Sequence, residues 1–304
     1  MCELFNYRGD DCHIIYKNVR DIGGDEIGLH HQSIHQNIAE LWKKFKPHAD
    51  TRFVEEFRRN PDQRYWEMYL GCCLLDKGFS LNTGPKGPDF RLEVGGKKIW
   101  IEAVTPTVGQ ENSPDRIPEL ILLSEGGGAQ RNPRDKIILR FRAGLAEKEN
   151  KFRGYVKDDT VGKGDIKVIA LSSAAIRGWS KSDTNPYILG AVFPIGHAYL
   201  TLDKETRKVV GQGYEFQPAV SKAKGRPVET LFFIDPAHSD ISAVIYSDAD
   251  IGNPRPQLGD DLLVIHNPLA ANPLLRGLLP CAREYWAVDE GNSWAVRYQD
   301  ATPS

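Results

Sequence analysis

The sequence predicts an α/β protein, a sheet flanked by helices, and three stretches carry that prediction. From Asp62 to Lys77 the apolar residues Trp66, Leu70, Cys73 and Leu74 recur at helical spacing, which places them on one face of an amphipathic helix. The runs DFRLEV and KKIWIEAVT on either side of Gly95-Gly96 read as two strands joined by a tight hairpin, since glycine takes the positive φ of such a turn without a Cβ clash. At 166–172 the unbroken apolar run IKVIALS is of the kind a sheet buries on both faces.

The remaining elements follow in chain order. Residues 32–60 read as helical and basic, with WKKFK and FVEEFRRN punctuated by Pro47 and Pro61, so residues 1–61 form a helical N-terminal extension. Gly78 stops the helix of 62–77. FSL is a short strand candidate, and NTGPKGP turns the chain into the hairpin. A connection from Pro106 to Pro133, with Gly126-Gly127-Gly128 and four prolines, is long enough to suggest a functional loop over a site. Arg134 to Val156 is a second helix. Residues 62–175 thus run helix, strand, strand, strand, helix, strand. Beyond them ILGAVFPI, AYLTL, TLFFID, ISAVIYS, LLVIH and REYWAV read as further strands, so 176–304 is a strand-rich elaboration, part of the same domain or beside it.

Composition narrows the partners. The 304 residues carry 39 Lys+Arg against 41 Asp+Glu, a net charge of −2, so no global positive field draws the chain to nucleic acid or anionic lipid, and a nucleic-acid partner must be met by a local patch. No window approaches the apolar length of a membrane span, and MCELFNYRGDDCH carries charge where a signal peptide is apolar, so a cytoplasmic protein without membrane contact is expected. Five cysteines, two of them the neighbours Cys72 and Cys73, do not make a disulfide framework. His31 and His35 share a helix face but lack cysteines at ligand spacing, and read as a solvated helix start rather than a metal site.

The chemistry concentrates in the hairpin. Asp89 opens one strand and Glu102 lies in the next, so strand pairing brings two carboxylates together. Such a pair repels itself unless a cation neutralises it, and oxygen ligands favour a hard ion such as Mg²⁺. Helix-β-β-β-helix-β with Pro88-Asp89 at one strand and IWIEAV at the next resembles the PD-(D/E)XK nuclease superfamily, the restriction-endonuclease-like fold, over about residues 62–172. The resemblance implies a Mg²⁺- or Mn²⁺-dependent nuclease, on DNA more than RNA. It places Asp89, Glu102 and the carbonyl of Ala103 as metal ligands and Glu67 as an assisting carboxylate. The sequence departs from the family at position 104, where the motif lysine is replaced by Val104. The alternative is therefore a catalytically inactive member that binds nucleic acid or protein. A third possibility is an assembly protein whose C-terminal strands make a protein interface.

A cation from another element offers a replacement. On the helix of 134–156, Ile138, Phe141, Leu145, Phe152 and Tyr155 form one stripe, and Lys148 lies near its middle. A buried ammonium there needs an anion, which Asp89 and Glu102 supply. Lys98 is a weaker candidate, on the strand face of Glu102 but about 13 Å along it. Residues 131–157 carry nine cations against three anions, a local +6, and read as a phosphate-tracking surface with Arg134, Arg140 and Lys151 among its contacts. His266-Asn267-Pro268 reads as a strand-ending turn, and Asp235-Pro236-Ala237-His238 with Ser242 lacks the elbow of a hydrolase triad.

Overall fold

The structure, a computed structural model, describes residues 2–21, 29–82, 86–121, 130–179, 185–291 and 293–301. It is a mixed α/β fold with a seven-stranded central sheet flanked by helices. Four helices come first: α1 (Ile14–Asp21), α2 (Leu29–Phe45), α3 (Phe53–Arg59) and α4 (Pro61–Asp76). Pro61 starts α4 at the position where a missing N–H costs nothing, and Gly78, at φ +89°, ends it. Expected to be amphipathic, α4 instead buries every residue from Tyr65 to Leu74. The sheet covers one side, and α2 and α3 cover the other.

Strands β1 (Phe90–Val94) and β2 (Lys97–Val104) form the hairpin, with Gly95 and Gly96 at φ +56° and +76°. Helix α5 (Arg134–Lys157) then crosses over to β3 (Ile166–Ser172), which pairs parallel with β2 and is buried along its whole length. The expected first strand at Phe79–Leu81 is absent; only an isolated bridge joins Asn82 to Arg91 there.

The C-terminal half mixes successes and corrections. ILGAVFPI is not a strand: its core is helix α6 (Tyr187–Val192), buried on every side. Next come the exposed hairpin β4 (Ile195–Leu202) and β5 (Val209–Phe216) and a second small hairpin, β6 (Ala219–Val220) and β7 (Val228–Glu229). TLFFID is a turn whose Phe232 and Phe233 are buried. Strands β8 (Ala243–Ser247), β9 (Leu263–His266), β10 (Arg283–Asp289) and β11 (Trp294–Asp300) complete the sheet in the order β1-β2-β3-β8-β9-β10-β11. Residues 62–175 and 176–304 therefore contribute strands to one sheet.

Alternation along the strands divides the core in two. Ile101, Ala103, Val168 and Ala170 face α4 and the N-terminal helices, whereas Trp100, Val104, Ile169 and Leu171 face α5 and α6. No helix among the described residues is long and apolar enough to cross a membrane. His35 is not solvated as expected: its ring packs 4.9 Å from that of Phe5 and bonds the carbonyl of Val19. The side chain of His31 and the triple glycine at 126–128 lie outside the described residues.

Candidate active site

Glu102 lies on β2 with its side chain on the α5 side of the sheet, between Trp100 and Val104. One glycine sets its distance from the helix. A Cβ built on Gly144 would lie 2.9 Å from Pro106 Cγ and 3.6 Å from Val104 Cγ2, so the end of β2 packs directly on bare helix backbone. Two residues back along the strand is about 6.6 Å, and four residues on along the helix is about 6 Å. The contact of Val104 with Gly144 therefore brings Glu102 opposite Lys148.

The geometry there is an ion cluster, buried at Glu102 and Lys148 and open at Lys151. Lys148 Nζ and Lys151 Nζ each lie 3.0 Å from Glu102 Oε1; Lys148 is buried, while Lys151 is nearly half exposed. Burial, the largest single influence, would lower the pKa of Lys151, but the Glu102 charge and the hydrogen bonds of the cluster together outweigh it and raise it. Glu102 Oε2 is buried without any hydrogen-bond partner. Lys148 thus stands where the helix stripe puts it, whereas Lys98 is exposed and pairs in register with Glu93 on the hairpin.

Asp89 precedes β1 and accepts a hydrogen bond from the Ala103 amide at 2.7 Å. Because Ala103 lies beyond the last β1 pair, its N–H and C=O on that edge are left free of the ladder. Asp89 uses the first, and Gln63 Nε2 reaches the second at 3.3 Å. Sheltering from water, then the charges of Glu67 and Glu102, push the Asp89 carboxyl up to about 8, against the opposing pull of the Ala103 amide and Lys148. Glu67, on α4, is buried and held by Arg64 at 2.6 Å and Gln63 at 2.9 Å. Burial raises its pKa despite Arg64. A cleft of about 90 Å³ opens beside Asp89 and Glu67, with Arg64, Asp50 and His48 on its other walls.

The oxygen donors here could hold a hard divalent ion. Among the described residues no three His, Cys, Asp or Glu side chains converge as a ligand group. Mg²⁺, however, usually takes one or two carboxylates and keeps several waters. Asp89, Glu102 with its orphaned oxygen, and the weakly engaged carbonyl of Ala103 offer that. Neutralising the pair also removes the repulsion that lifts Asp89.

The basic surface needs correction. Arg134 is buried, donates to Gln217 Oε1 at 2.5 Å and to the Ile195 carbonyl, and has its pKa lowered by burial; it holds α5 to the β4–β5 region and cannot track phosphates. Arg140 donates to the Thr107 carbonyl at 2.8 Å, and Lys151 belongs to the Glu102 cluster. The described part of the 106–133 connection lies along the N-terminal half of α5, where Lys136 holds the carbonyls of Pro114 and Arg116. Asn267 binds the backbone of Ile241 and Leu269 in a turn, and His238 bonds Glu149 while Ser242 bonds Asn272, so His238 and Ser242 are not paired as a triad would need.

Sequence reasoning missed Gln63 and Arg64. Gln63 joins α4 to the end of β2 by bonding Glu67, the Ala103 carbonyl and the Thr105 amide. The helical spacing of Gln63 and Arg64 from Glu67 was the available signal. No family model, curated protein or solved structure matches the chain.

Proposed function

We propose that the chain is a metal-dependent nuclease that hydrolyses phosphodiester bonds of DNA, on a core of the PD-(D/E)XK, restriction-endonuclease-like kind. The observation that carries this reading is the buried contact of Lys148 with Glu102, beside an Asp89 whose charge needs a cation. Asp89, Glu102 and the Ala103 carbonyl would hold Mg²⁺ or Mn²⁺, which when bound supplies an activated water and neutralises phosphate charge. Lys148 fixes Glu102 through Oε1, leaving Oε2 for the metal, and offers its remaining N–H groups to charge developing on the phosphate. Lys151, open to solvent, meets the incoming phosphate. Glu67 accepts a hydrogen bond from water in the cleft, and Gln63 and Arg64 set its direction. Five cysteines carried as thiols are consistent with a cytoplasmic protein.

Cleavage of labelled duplex DNA, single-stranded DNA and RNA, each with Mg²⁺, Mn²⁺ or EDTA, tests the reading. Metal-dependent products that vanish in Glu102→Gln support it, and the absence of products in every condition defeats it. The second reading, a binding module without chemistry, draws on Val104, which is buried on Gly144 and replaces the motif lysine. Binding in EDTA with no cleavage in any metal would select it.

A further inference from the structure

The cations of α5 are largely committed to the fold. Arg134, Lys136 and Arg140 bond the loops beside them, Arg142 bonds the Glu229 carbonyl, Lys148 and Lys151 hold Glu102, and Arg153 holds Glu149. The turn between β6 and β7, SKAKGRP, is the reverse case. Its residues 221–227 are all exposed, and among the described residues no ion pair or hydrogen bond engages Lys222, Lys224 or Arg226. Three like charges within five residues repel one another, and none of the three cations is paired among the described residues.

The turn is nonetheless held in place. Its base is tied to α5 by Arg142, whose guanidinium bonds the Glu229 carbonyl at 2.9 Å and stacks 4.4 Å from the Phe232 ring. Its tip is tied by the Ala223 amide, which donates to Asp115 at 2.8 Å, on the loop that Lys136 anchors to the same helix. Gly225, at φ +97°, closes the turn in a conformation other residues rarely adopt. Lys136, Arg140 and Lys151 fall within about 60° of one another around α5, and Lys136 and Lys151 are about 22 Å apart along it.

We infer that the β6–β7 turn is a phosphate clamp, gripping the backbone of a DNA duplex away from the Glu102 cluster. The inference rests on the nuclease reading and names the surface that holds the substrate away from the cut. Phosphate contacts position a duplex without reading its sequence, which suits a turn that presents three exposed cations.

Fluorescence anisotropy of a labelled duplex in EDTA, over a salt series, tests it with the full chain. In the triple variant Lys222→Gln/Lys224→Gln/Arg226→Gln the log–log slope of affinity against salt should flatten by about 2.7, since each lost contact removes about 0.9. The triple variant Lys204→Gln/Arg207→Gln/Lys208→Gln, on the exposed β4–β5 turn, removes the same net charge and should leave the slope unchanged. Equal flattening in both variants would mean generic charge and overturn the clamp. An unchanged slope in the first, with the parent binding normally, would overturn the clamp and leave the nuclease reading intact. A parent that binds no duplex, in EDTA or with Mg²⁺, would remove both. Flattening on single-stranded DNA or RNA alone would reject a duplex as the occupant.

Discussion

Two groups of sheltered carboxylates, at different places around the same sheet, are treated in opposite ways. Asp261, beside the end of β8, accepts from Tyr69, Ser247 and the Ala249 amide; Glu149 accepts from Arg153 and His238; Glu284 accepts from His266 and the Gly277 amide. Burial alone would raise Glu284, yet His266 and that amide hold it below the usual carboxylate range. At the β1–β2 end the pattern reverses. Asp89 is pushed up to about 8, Glu67 is raised, and Glu102 Oε2 is, among the described residues, the one buried carboxylate oxygen without a partner. Carboxylates that hold the fold are matched by their donors; at the β1–β2 end burial outweighs the donors that Asp89 and Glu67 have, and one oxygen of Glu102 has none, a pattern found at functional sites.

The largest effect should fall on activity. Glu102→Gln or Asp89→Asn should abolish Mg²⁺-dependent cleavage, whereas Glu284→Gln, at a satisfied carboxylate, should lower the melting temperature and leave cleavage per folded molecule unchanged. A Glu102→Gln protein that cleaves like the parent would erase the distinction between the two groups.

Lys148 sharpens the comparison within the site. Lys148→Met keeps a stem of similar length at this buried position, and Lys151 still pairs with Glu102, so the chain should stay folded. Its cleavage rate should fall on the order of 10²–10³-fold, the usual loss for one transition-state donor. Single-turnover kinetics at saturating metal would read it, and full activity would reduce Lys148 to a structural ion pair.

How much of this was legible in the sequence depended on how local the signal was. The hairpin at Gly95-Gly96, α5 and the run 166–172 declare themselves by turn chemistry and period, and spacing alone pointed to Asp89, Glu102 and Lys148. ILGAVFPI failed because a short apolar run cannot distinguish a strand from a helix buried on every side, and TLFFID failed because two buried phenylalanines look like a strand even in a turn. Arg134 failed for another reason. A charge count along α5 does not record that this side chain turns inward to Gln217. For Gln63 only its spacing from Glu67 was legible, because its other partners Ala103 and Thr105 are about forty residues away in sequence and meet it only through the fold.

Stability should separate the two groups with opposite signs. Asp261→Ala leaves the Tyr69 and Ser247 hydroxyls and the Ala249 amide without their acceptor, which should cost about 1–3 kcal/mol. Asp89→Asn keeps an oxygen for the Ala103 amide and removes a repelled charge, so in EDTA it should be as stable as the parent or more so. Denaturant melts of both variants would check this, and a destabilised Asp89→Asn would show that the Asp89 charge supports the fold.

The smallest expected effect is a pH dependence with a definite sign. Asp89 faces Glu67 from α4, Glu102 from β2 and Lys148 from α5, and its carboxyl is raised from an ordinary 3.8 to about 8. Between those values the folded chain holds a proton that the unfolded chain has lost, so this group's contribution is fully present below the ordinary value and disappears as pH rises through the folded one. In EDTA the parent should therefore lose on the order of a few °C in melting temperature between pH 6 and pH 8.5, beyond any loss shown by Asp89→Asn over the same range. Saturating Mg²⁺ should abolish the difference, because a bound cation removes the reason for the proton. A parent and an Asp89→Asn variant with identical pH profiles would mean that Asp89 is already ionised without metal, and the contrast with Asp261 and Glu284 would then rest on the orphaned oxygen of Glu102 alone.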